Sequence, residues 1–367
     1  MNHFFYRIIA ISILSTFASF LNGQTLSVDS LNQLAYKTYR QDVAKSKSYA
    51  FKALSLSRQK LDEKGEVDAY VNLGRCYRLE SEWDSAFHLL RKALTISTES
   101  QYSEGLLHAN NNLGAIHLMR SDPESAKPFI DESLTLALQI NDIKAQANAY
   151  NNLAIIAQYQ EQYPEAIQFL EQAIKAYQNV SDSIGLARSF ANQASLYDLS
   201  EENEKAIQQY FSALKIQEGL GLAYQKSLTL INIGDLYIEK GKQVEALAQY
   251  QKGLALSKKI GNLTGLAIAS QNIGSTLDAL GQAPEAILYL DSALVYARKT
   301  EDPELIGSCL VDLGTYYRDK NEIEKASAFL EEATDYLEEI YSPKLGELYD
   351  GLGAIAYLQK DWSQALA

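Results

Sequence analysis

The sequence is short of the residues that staple or punctuate small folds. Two cysteines in 367 residues are too few for a disulfide framework or for most zinc modules. Six prolines and twenty glycines exclude a collagen-like or linker-rich chain. Four histidines fall in no His-Glu-x-x-His pattern, and neither a phosphate-binding glycine loop nor Gly-x-Ser-x-Gly occurs. Basic residues are in deficit, 33 Lys and Arg against 46 Asp and Glu, for a formal charge of −13. Phosphate backbones repel such a chain, which argues against nucleic acid as a partner, and no basic stripe suits an anionic membrane surface. Apolar residues, at 47%, are plentiful, so a large core can form and a disordered chain is excluded.

The longest apolar run, Ile8–Leu21, has 14 residues. That is short of the roughly 20 a spanning helix needs but fits the apolar region of a signal peptide. Arg7 precedes it, and Gly23 offers a small residue before a cleavage point. Residues 1–23 are therefore expected to be an export signal, with an uncleaved anchor or a buried helix as alternatives. No nearby cysteine could carry a lipid. Export would place the protein in the periplasm or cell envelope of a bacterium.

A forty-residue period organises the rest. Asn72-Leu73-Gly74 recurs as Asn112-Leu113-Gly114, Asn152-Leu153-Ala154, Asn192-Gln193-Ala194, Asn232-Ile233-Gly234, Asn272-Ile273-Gly274 and Asp312-Leu313-Gly314. Gly351-Leu352-Gly353 follows one residue early, and Asn32-Gln33-Leu34 precedes in register without the glycine. Twelve residues after each small residue stands an alanine, from Ala86 and Ala126 to Ala326 and Ala365. Seven further on come Ala93, Ser133, Ala173, Ala213, Gly253, Ala293 and Ala333. Each unit reads as two helices. Tyr70, Leu73, Gly74 and Tyr77 share one face of the first, and Ala86, Leu89, Leu90, Ala93 and Leu94 share one face of the second. Glu80-Ser81-Glu82 turns between them, while Asn141-Asp142, Ser181-Asp182, Gly261-Asn262 and Glu301-Asp302-Pro303 separate units. Pro123, Pro164 and Pro284 suit helix starts, where a missing N–H costs nothing. Pro128 is a misfit about six residues into its helix, which predicts a late start or a kink there.

Small residues at these positions on paired helices, with Leu-Gly before an aromatic such as Tyr77, Tyr237 or Tyr317, resemble the tetratricopeptide-repeat family. The resemblance covers nearly all of residues 27–367. That family's usual period is about 34; the longer unit here is similar to its long-helix subtype. It implies an all-α, right-handed superhelical solenoid of antiparallel helix pairs, with about eight to nine repeats. The expected organisation is a signal over 1–23, an N-terminal capping repeat over 24–63, seven tandem repeats over 64–343 and an incomplete final repeat over 344–367. Because the last repeat stops soon after Ala365, the chain is expected to be a fragment, or its last repeat to fray or be completed by another chain. In a solenoid each repeat touches only its neighbours, so Cys76 and Cys309, six units apart, are expected to be unpaired buried thiols.

The helix wheel places Asp68, Asn72 and Arg75 opposite the packed face. In a tetratricopeptide superhelix that side lines the concave groove. The resemblance thus predicts that Asn32, Asn72, Asn112, Asn152, Asn192, Asn232 and Asn272 lie outside the core in a row, continued by Asp312 and thickened by Asn111 and Asn151. Asparagine carries an acceptor and two donors on one arm, matching the N–H and C=O of an extended peptide. The alternative is that each asparagine bonds a neighbouring helix and fixes the repeat spacing. Some members of the family grip a C-terminal carboxylate with basic residues on these faces. Here Arg75 and Arg188 stand against Asp68, Asp235, Glu239 and Asp312, which argues against such a clamp and for a neutral or mildly basic peptide.

No catalytic constellation appears. His108 and His117, nine apart, lie on opposite sides of one helix. Trp83, Tyr163 and Trp362 hold one equivalent position and read as packing. The expectation is an exported scaffold, not an enzyme, with a protein or peptide partner. No cofactor, metal or small-molecule substrate is implied. The alternative is the sensor region of a larger envelope signalling protein with a membrane-linked partner.

Overall fold

The computed structural model describes residues 26–338, 340 and 342–359. The segment read as an export signal and the stretch containing Trp362 and Ala365 lie outside the described residues. Seventeen helices follow one another, and no strand occurs among the described residues. The chain divides into two compact units, Met1–Ser181 and Asp182–Ala367.

Unit one contains α1 (Val28–Thr38), α2 (Val43–Lys60), α3 (Glu63–Leu79), α4 (Trp83–Glu99), α5 (Ser103–Met119), α6 (Pro123–Gln139), α7 (Ile143–Tyr159) and α8 (Tyr163–Asn179). Unit two contains α9 (Ser183–Leu199), α10 (Asn203–Gly219), α11 (Ala223–Glu239), α12 (Gln243–Ile260), α13 (Leu263–Ala279), α14 (Ala283–Thr300), α15 (Pro303–Asp319), α16 (Ile323–Leu337) and α17 (Leu345–Leu358). Odd-numbered helices are the first of each pair and even-numbered ones the second. Within a unit, the first helices up to α15 each pack on their own second helix, and most also touch the first helix of a neighbouring pair.

Local chemistry sets the boundaries. Turns of two or three residues join most of the helices, and from Leu61 to Asn321 one residue in each is left-handed at twenty-residue intervals, as at Ser81 (φ 59°), Gln101 (φ 53°) and Gly261 (φ 70°). Side chains of Asp62, Asp122, Asp142, Asp182, Asn262 and Asp302 accept the N–H three residues on and cap the helices that follow. These caps coincide with the loop signals in the sequence. Pro128 does not delay its helix, because α6 begins at Pro123 and runs unbroken to Gln139. The pyrrolidine is exposed and falls where only the amide once bonded to Glu124 is lost.

The small positions form the core. Ala86, Ala126 and Ala166 in unit one, and Ala206, Ala246, Ala286 and Ala326 in unit two, are fully buried. At Gly114 an added Cβ would fall 2.4 Å from Cδ1 of Ile130, so the helices of that pair approach too closely for a side chain there. Tyr70 and Leu73 are buried as expected, and Trp83 packs beside them. Cys76 and Cys309 are both buried and free. No described helix is long and apolar enough to cross a membrane.

Candidate functional site

One stripe of each first helix in unit one is left over after the small and aliphatic stripe has packed on the second helix. Its residues recur at three- and four-residue spacing: Asp29, Asn32 and Tyr36 on α1; Asp68, Asn72 and Arg75 on α3; Glu104, His108 and Asn111 on α5; Lys144 and Asn148 on α7. They converge on a cavity of about 510 Å³, floored by Val71, Leu107 and Ala145. Tyr102, the residue preceding α5, completes its wall.

Burial governs the charges here. Asp68 is pushed up to about 6 by desolvation, while the Tyr102 hydroxyl, donating to its Oδ1 at 3.3 Å, and the charge of Arg75 act the other way. His108 is pushed down to about 3 by burial and by the positive charge of Arg75, so its imidazole is neutral. Desolvation also lowers Arg75, whose guanidinium stays protonated because its ordinary value is so high. That guanidinium donates to Asn72 Oδ1 at 3.2 Å and lies 5.0 Å from the centre of the Tyr36 ring. Asn148 Oδ1 accepts from the Tyr177 hydroxyl at 2.7 Å.

The asparagine row is more deeply set than the helix wheel predicts. Asn32, Asn72, Asn112 and Asn151 are 5%, 4%, 3% and 1% exposed, so they lie in the core and not outside it. Successive first helices pack side by side and cover that face. Asn32 Nδ2 donates to the Gly65 carbonyl at 2.9 Å, and Asn72 Nδ2 donates to the Asn32 carbonyl at 3.1 Å. Asn112 turns back on its own helix, donating to the His108 carbonyl at 2.8 Å. Asn111 and Asn152 are half-buried and bonded to each other, Nδ2 of Asn152 to Oδ1 of Asn111, at 3.3 Å. Of the expected row, Asn32, Asn72 and Asn111 line the unit-one cavity; Asn112, Asn151 and Asn152 do not.

In unit two, Asn192 is half-buried, and the exposed Asn232 donates to the Tyr210 hydroxyl at 3.2 Å. Asn272, half-buried, donates to Asp235 Oδ1 at 2.7 Å, and the Tyr250 hydroxyl donates to the same oxygen at 2.7 Å. Asp312 accepts on Oδ2 from Gln271 and Ser275, each at 3.0 Å. Burial raises Asp235 to about 6, helped by the negative charges of Asp198 and Glu239, and burial also raises Asp312. Polar bonds between neighbouring first helices therefore recur in both units. No group of three or more His, Cys, Asp or Glu suited to a metal occurs among the described residues.

Sequence reasoning overlooked His108, Asn148, Tyr36 and Tyr102 as lining residues. A signal for two of them was present: Asp68, His108 and Asn148 stand forty apart, one helical turn before the motif asparagine. That column varies in chemistry, whereas the asparagine column is nearly constant.

Comparison with known proteins places these features in a family context. A tetratricopeptide-repeat family profile matches residues 65–139 and 145–219, so the chain carries tetratricopeptide repeats. Among curated proteins, none matches the chain. The fold resembles the apo form of the quorum sensor NprR from B. thuringiensis, with a TM-score of 0.69 and 16% identity over 92% of this chain and 94% of that one. It also resembles aspartyl phosphate phosphatase F from Bacillus subtilis, with a TM-score of 0.60 and 17% identity over 93% and 92%. A third likeness is to a Signal Transduction ATPase with Numerous Domains protein, with a tetratricopeptide repeat sensor, from Pyrococcus horikoshii. There the TM-score is 0.61 and the identity 17%, over 87% of this chain; the match spans 50% of that protein's length. At such identities the likeness is one of fold alone.

Proposed function

We propose that this array of tetratricopeptide repeats is an exported scaffold that holds a peptide or extended protein segment against its first helices. The observation that carries this reading is convergence: polar side chains from α1, α3, α5 and α7 meet on one cavity in unit one. Second helices supply the packing partner and leave the first-helix stripe free for a ligand. A peptide brings one N–H and one C=O per residue, and amide side chains can answer both. The asparagines then have two tasks. Asn72 ties repeats together, and Asn111, Asn152, Asn192, Asn232 and Asn272, with Asp312, keep part of their side chains accessible for the ligand. On this reading the chain is a binder rather than a catalyst. Export rests on the Ile8–Leu21 run behind Arg7.

The test is a random peptide display selection against the full chain, followed by binding measurements on the Asn111→Ala, Asn152→Ala double variant, which removes a cavity-lining amide together with its bonded partner. The reading expects selected peptides to lose affinity while the melting temperature is little changed. Unchanged affinity would sink it. N-terminal sequencing of protein recovered from the cell envelope tests export: a new terminus near Gln24 is expected, and an intact Met1 would contradict it.

A further inference from the structure

We infer that the unit-one cavity binds a small zwitterion, an α-amino acid or a ligand with the same pair of groups, its carboxylate on Arg75 and its ammonium on Asp68. The reasoning starts from two opposite charges that share a cavity and are not paired. Neither Arg75 nor Asp68 takes part in an ion pair within 4 Å among the described residues. Both stand on α3, seven residues or two turns apart, so they point the same way with about 10 Å between their Cα atoms. Arg75 has five N–H donors and uses one on Asn72. Asp68 accepts one bond, from Tyr102, and its second oxygen is unused.

Charge balance decides the ligand class. An anion would satisfy Arg75 but leave Asp68 alone and face Asp142 as well as Asp29 and Glu104, which already act on Asp68. A cation would satisfy Asp68 but face Arg75, Lys37 and Lys144. A ligand carrying both signs answers both groups at once and leaves the net charge of the cavity unchanged. The remaining wall suits such a molecule. His108 is neutral and its ring makes no hydrogen bond among the described residues, so it can give or take one. Val71 and Leu107 offer an apolar floor for a side chain. A volume of about 510 Å³ is ordinary for a small-molecule site. A free amino acid carries both charges on its own, so the inference does not depend on the peptide reading.

The experiment screens the full chain by thermal shift against each standard free amino acid at millimolar concentration. The best one is then titrated by calorimetry beside its N-acetyl derivative, which lacks the ammonium, and its amide, which lacks the carboxylate. The expected result is stabilisation by at least one amino acid and a loss of about 10-fold or more in affinity for each derivative. Arg75→Gln and Asp68→Asn should each abolish binding. Should either variant fail to fold, the two derivatives decide on the unaltered protein. No stabilisation by any amino acid, or a derivative that binds as tightly as its parent, overturns the assignment.

Discussion

The side-chain amide of Asn72 donates to the backbone carbonyl of Asn32 at 3.1 Å, joining first helices forty residues apart. Asn72 is 4% exposed, so its replacement leaves buried polar groups unanswered. Asn72→Ala should cost about 1–3 kcal/mol in urea denaturation. Asn232 holds the same motif position but is exposed, and Asn232→Ala should stay within about 0.5 kcal/mol of the parent. Equal losses would show that motif position, and not burial, sets the cost.

Pro128 lies inside an unbroken helix with its ring exposed. Its replacement by alanine restores an amide donor to Glu124 and removes no packing. Pro128→Ala should stabilise the protein by about 1–3 kcal/mol, read from the denaturation midpoint. A loss of stability would mean that the proline supports a local geometry that alanine cannot.

Burial lifts Asp235 from an ordinary 3.8 to about 6. The folded chain therefore holds this proton more tightly than the unfolded chain. The stability tied to it is fully present below about pH 4 and is lost as pH rises through about 6. Asp68 in unit one and Asp198 in unit two are raised in the same direction by burial. Asp235→Asn keeps an oxygen to accept from Tyr250 and removes the charge. It should gain up to about 2 kcal/mol near pH 7.5, with the gain gone near pH 4. A gain that does not change with pH would contradict the sign.

Cys76 is fully buried against Ser46, its Sγ 3.2 Å from Ser46 Oγ, and burial pushes the Cys309 thiol up to about 12. Neither thiol should react with iodoacetamide in the native protein, and both should react in urea. Intact-mass spectrometry reads this directly. Rapid native labelling would place at least one thiol at the surface.

The fold was legible because the period of forty repeats the same small residues wherever two helices approach. Gly114 against Ile130 shows why that position admits only a small residue. The caps at Asp142, Asn262 and Asp302 were legible for a similarly local reason. The depth of the asparagines was not. A single helix wheel separates Asn72 from the face that packs on the second helix, but the neighbouring first helix covers the other face, and one repeat in isolation carries no sign of it. The cavity escaped notice for the same reason, since Asp68, Tyr102 and His108 meet only when α3 and α5 stand side by side.

Ligand binding to the first-helix face is tested most directly by photo-crosslinking. A benzophenone amino acid placed at Asn111, on the unit-one cavity, should capture a peptide selected on the full chain. The same group at His88, on the exposed side of the second helix α4, should not. Capture from position 88 with none from position 111 would contradict the assignment of the ligand to the first helices.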